Sequence, residues 1–167
     1  MVRMTLPDRD RAHPWAQRLR QGGTVTALPS HVPYRLAALA DADEARYVDV
    51  NIPDSLGPGD ARIIVLTDDA IIDVRCLQID VRVRAAAGQA TTAVTMRRLS
   101  DVAQLAIGGD DLDWTPGHFD DLDPTEGSIV ATLVDGTRFA LLQTKSARAQ
   151  VATAIELLHA GLLRTNR

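Results

Sequence analysis

SIVATLVDGTRFALLQTKSARAQVATAIELLHAGLL, residues 128–163, reads in order as a strand, a turn, a second strand and a helix. Asp135-Gly136 separates two apolar runs, and an Asp-Gly pair suits a tight type I′ turn because glycine takes positive φ freely and aspartate tolerates it. Beyond Gln143, the residues Ala147, Val151, Ala154, Ile155, Leu158 and Leu162 recur at three- and four-residue steps. That spacing predicts one apolar stripe on a helix over 146–163. Such a stripe needs an apolar surface, so the helix is expected to pack on a curved sheet that includes the hairpin.

Upstream, RIIVL and AIIDV flank Thr67-Asp68-Asp69 and predict a second hairpin over Arg62 to Val74. The unbroken run Ile63-Ile64-Val65-Leu66 implies burial on both faces, or burial in a curved barrel wall. From Leu77 the pattern alternates, with Leu77, Ile79, Val81 and Val83 on one side and Gln78, Asp80, Arg82 and Arg84 on the other. The phase changes near Cys76, which predicts a bulge or bend there. Thr91 to Ile107 gives one or two strands interrupted at Leu99-Ser100-Asp101. Nearer the N-terminus, Tyr47 to Ile52 alternates as a half-buried strand, and Tyr34 to Ala42 has helix-forming composition. Thr24 to Leu28 is a short β-prone run, and Pro14-Trp15 is expected to start a short helix ending near Arg20. The expected class is α+β, with an antiparallel, strongly bent sheet or barrel closed by the C-terminal helix.

RIIVLTDDAIIDV resembles the apolar strand, Leu-Thr-Asp, apolar strand signature of bacterial pleckstrin-homology-like domains, and RRLSDVAQLAI (97–107) resembles the segment that leads into a further strand there. The final hairpin and helix are similar to the end of the same fold. The resemblance covers about residues 61–163 and implies a PH-like barrel over 51–167. Residues 1–50 then form a partly helical extension packed on it, and 108–127 an acidic inserted loop.

With 167 residues and 46% apolar content, the chain can bury one sizeable core. The apolar runs fall far short of the roughly 20 residues that cross a bilayer. The polar, proline-broken start does not read as a secretory signal, and the single cysteine, Cys76, has no partner for a disulfide. A cytoplasmic location is the expectation. The formal charge is −4, and residues 110–126 alone carry seven carboxylates and no base. A uniformly basic face is missing, so nucleic acid is not an expected partner.

The acidic segment places Trp114, His118 and Phe119 among carboxylates, where aromatic rings can anchor a partner; Trp15 is a further candidate anchor, or pins the extension by burial. The segment lacks the EF-hand spacing, and no metal or cofactor is expected. Arg82 and Arg84 project from one strand face and, with Arg97 and Arg98 across from them, form a candidate anion-binding strip. The pleckstrin-homology resemblance implies a basic hairpin earlier in the chain for phosphoinositide binding, and that match is absent. His13, His31 and His159 stand in no catalytic pattern, with His13 and His31 placed in loops. The functional expectation is a non-enzymatic interaction module that binds a protein partner or self-associates. Peripheral attachment to anionic lipid or phosphate through the arginine strip ranks second.

Overall fold

The computed structural model describes residues 9–21, 28–51, 59–79, 91–108, 128–141 and 150–165. Two helices, α1 (Arg9–Gln21) and α2 (Val32–Ala37), precede an antiparallel sheet of β1 (Tyr47–Asn51), β2 (Gly59–Leu66), β3 (Ala70–Ile79) and β4 (Thr91–Arg98), paired in that order. A second antiparallel sheet follows, of β5 (Val102–Gly108), β6 (Ser128–Leu133) and β7 (Arg138–Leu141), and the chain finishes with α3 (Val151–Thr165). The fold is α+β. Among the described residues the strands form two separate sheets, with no ladder closing them into a barrel.

The unbroken apolar run of β2 is explained by its place in the first sheet. Successive side chains of a strand point to opposite faces, and here both faces are covered. Ile63 and Val65, with Val48, Val50, Ile72, Val74 and Cys76, pack against Trp15, Leu19, Val32 and Leu36 of α1 and α2. Ile64 and Leu66, with Tyr47 and Ile71, pack against Val102, Ile129, Leu133, Phe139, Ala154 and Leu158 of the second sheet and α3. β1 is therefore buried on both sides, contrary to the half-buried strand its alternation predicts, and even Asp49 is only 3% exposed.

α1 begins well before the expected start at Pro14, which lies inside the helix. A proline there removes the hydrogen bond to the carbonyl four residues back, Asp10. Ala12, Trp15 and Leu19, spaced along one stripe and all buried, offset that loss. The Trp15 indole N–H donates to the Ala40 carbonyl at 2.9 Å, and the Arg18 guanidinium donates to the Ala45 carbonyl. α2 is shorter than the stretch from 34 to 42; after it, Ala42–Glu44 makes a separate 3-10 turn, with the Glu44 carboxylate accepting from the Asp41 N–H.

The predicted hairpin between β2 and β3 is present, closed by Thr67, whose N–H donates to the Ala70 carbonyl at 2.9 Å and whose hydroxyl accepts from the Ala70 N–H at 2.9 Å. The predicted irregularity near Cys76 is also found: Ala61 opposes Cys76 while Gly59 opposes Ile79, so β3 carries one extra residue between them. The interruption at 99–101 is a 3-10 turn that carries the chain from the first sheet into the second. β6 and β7 form the expected hairpin, but with a three-residue loop in place of a two-residue type I′ turn. The Gly136 N–H donates to the Leu133 carbonyl, the Leu133 N–H donates to the Thr137 carbonyl, and Gly136 has φ 81°. On α3 the predicted stripe holds for Ala154 and Leu158, which are fully buried, and for Ile155 and Leu162 beside them. Residues 22–27, 52–58, 80–90, 109–127 and 142–149 lie outside the described set, and with them most of the Thr24 run, the alternation beyond Ile79, the acidic segment and the expected start of the last helix.

Candidate functional site

A strand has unpaired N–H and C=O groups wherever a sheet ends, and among the described residues the two sheets end at β1, β4, β5 and β7. These edges differ. On β1 the Val48 N–H donates to Gln150 Oε1 at 3.1 Å. β5 packs against α3, and β7 has only four residues. β4 is eight residues long, and six of them are exposed.

The direction of each backbone group on β4 follows from the hydrogen bonds at its end. The Leu99 N–H donates to the Asp69 carbonyl at 2.7 Å, toward β3. Counting back by twos, Arg97, Thr95 and Ala93 also face β3, while Arg98, Met96, Val94 and Thr92 face outward. The ends of the outward row are taken: the Thr92 carbonyl accepts from Arg35 Nη1 at 2.6 Å, and the Arg98 N–H donates to Asp101 Oδ2 at 3.3 Å. Between them, the outward N–H and C=O groups of Val94 and Met96 have no partner among the described residues.

A cleft adjoins β4 on each face. On the helical side, a cleft of about 460 Å³ is bounded by Leu39, Asp43, Glu44, the 67–70 turn and Met96, a residue 49% exposed. On the other side, a cleft of about 330 Å³ lies between the sheets, with Ile71, Leu133 and Phe139 at its floor and Arg75, Thr95, Arg97 and Thr137 around it. Asp73 in this cleft takes a bidentate pair from Arg62, at 2.9 and 2.8 Å, and a third contact from Arg75 Nε at 3.3 Å. Arg97 pairs with Asp135 at 3.0 Å, which ties β4 to the β6–β7 loop. The Asp135 carboxyl is held below its ordinary value first by its hydrogen bonds with Thr137 and to a lesser degree by Arg97.

Of the residues singled out from sequence, Arg97 and Arg98 stand exposed at the end of β4, with the Arg97 guanidinium engaged by Asp135. Trp15 is fully buried and packs α1 onto the sheet, so its ring is not on the surface. Trp114, His118, Phe119, Arg82 and Arg84 lie outside the described residues. His13 lies on α1, not in a loop, and His31 immediately precedes α2, its Nε2 2.8 Å from Thr92 Oγ1. Cys76 is buried, and desolvation raises its thiol pKa. Among the described residues no group of three or more His, Cys, Asp or Glu side chains is placed to hold a metal ion, and no helix is long and apolar enough to cross a membrane.

Val94 and Met96 escape a search for charged or aromatic motifs, because what distinguishes them is backbone. The available signal is negative: Thr91 to Met96 contains no charge and no proline, the devices that usually blunt an exposed edge. In comparisons with known proteins, no family model, no curated protein and no solved structure matches the chain.

Proposed function

We propose that the chain is a non-enzymatic interaction module that takes up an extended segment of a protein partner as a further strand beside β4. The observation that carries this reading is the pair Val94 and Met96, whose outward backbone groups have no partner among the described residues and lie between two capped ends. Strand addition derives affinity from main-chain hydrogen bonds and selectivity from the pockets that alternate side chains enter, and β4 has a cleft on each face. The framework is read as PH-like. Support for that part is a meander of four strands, then one of three, then the closing helix.

The test is selection of random dodecapeptides displayed on phage against the full chain, followed by binding measurements on Met96→Pro. Proline removes an N–H that faces away from β3, so the β3–β4 ladder and the melting temperature are expected to survive. Selected peptides should bind the variant about tenfold or more weakly, the equivalent of one or two lost hydrogen bonds. Met96→Lys, which blunts the edge with a charge, should act in the same direction. Equal binding to wild type and to both variants, or no enriched peptide at all, would overturn the proposal.

A further inference from the structure

The two clefts beside β4 differ in charge. The helical-side cleft carries Asp43, Glu44, Asp68 and Asp69. Among the described residues two arginines pair with them, Arg46 at 3.7 Å from Asp68 and Arg164 at 3.1 Å from Asp69, and both pairs are exposed. The cleft between the sheets has the reverse balance. Asp73 is paired by both Arg62 and Arg75 and Asp135 by Arg97, so three guanidinium groups face two carboxylates, and the Arg75 and Arg97 side chains remain about half exposed at its rim.

A strand laid along β4 turns successive side chains to opposite faces, so neighbouring residues of the incoming segment enter oppositely charged surroundings. We infer that the partner segment alternates basic and acidic residues, with Lys or Arg directed to the helical-side cleft and Asp or Glu directed to Arg75 and Arg97. The inference rests on strand addition at β4 and specifies what that site selects. A second copy of β4 is a poor occupant, because TTAVTMRR offers two arginines and no carboxylate.

Three fluorescein-labelled octapeptides test the inference: alternating lysine and glutamate, alternating lysine and threonine, and alternating glutamate and threonine. The lysine-glutamate peptide should bind the full chain about tenfold more tightly than either other, with the advantage shrinking as salt is raised. In the double variant Asp43→Lys with Asp68→Lys, both at exposed positions, glutamate-threonine should overtake lysine-threonine. Equal binding of all three peptides, each weakened by Met96→Pro, would overturn the charge inference and leave strand addition standing. No binding by any of these peptides, while phage-selected peptides without the alternation bind and are weakened by Met96→Pro, would likewise overturn the charge inference alone. Failure of every peptide, selected or designed, would overturn both readings. A dimer in light scattering that Met96→Pro disperses would make a second copy the occupant and so overturn the inference as well.

Discussion

A Cβ added to Gly161 would stand 2.3 Å from the Leu99 carbonyl oxygen, so α3 approaches the corner between the sheets more closely than any other residue type permits. Gly161→Ala is expected to cost about 1–3 kcal/mol by overpacking against backbone, read as a lowered urea midpoint. Sequence periodicity passes over this glycine, because it marks a gap in the stripe. His31 offers a test by pH. Burial, and after it the nearby Arg35 guanidinium, holds its pKa below the ordinary 6.5. The unfolded chain therefore takes up the proton first. The stability tied to the neutral imidazole is complete above pH 6.5 and is lost as pH falls from there through the lower folded value. Urea midpoints measured between about pH 7.5 and 5 should decline in the wild type and decline less in His31→Gln, whose amide can still reach Thr92.

At the level of elements, the β6–β7 loop depends on one backbone conformation. Gly136 has φ 81° and nothing within 4 Å of an added Cβ, so the cost of a side chain there is conformational and not steric. Gly136→Ala is expected to destabilise by about 1–2 kcal/mol and Gly136→Asn by less, a ranking that thermal unfolding checks. This hairpin and the one at Thr67 are legible in the sequence because turn chemistry is local. The two-sided burial of Ile63 to Leu66 is legible too, since a continuous apolar run puts apolar side chains on both faces of its strand. The early start of α1 is not, because Pro14 argues against it and only tertiary packing of Ala12, Trp15 and Leu19 accounts for it. Nor is the place of β4 at the end of its sheet among the described residues. Whether a strand is central or terminal depends on sheet order, which no short stretch of residues encodes, and whether its groups are capped depends on Arg35, 57 residues away from Thr92.

For the whole molecule, the helices before the first strand are one of its layers. Trp15, Leu19, Val32 and Leu36 cover the apolar surface that Val48, Val50, Ile63, Val65, Ile72 and Val74 build on one face of the first sheet. A chain shortened to begin at residue 28 should lose cooperative urea unfolding and bind a hydrophobic dye, because Val48, Ile63, Val65 and Val74 lose part of their cover.

The division of the interior into two clusters also bears on how the chain emerges from the ribosome. The first cluster and the residues packed on it all fall between Trp15 and Val94, so its parts are complete once the fourth strand has been synthesised. The second cluster needs Ala154 and Leu158, about sixty residues further along the chain than Val94. Between those moments Tyr47, Ile64, Leu66 and Ile71 wait without their cover, on a sheet whose other face is already closed. The interval in which a nascent chain is most open to sticking to its neighbours is therefore set by the synthesis of the stretch from the fourth strand to Leu158.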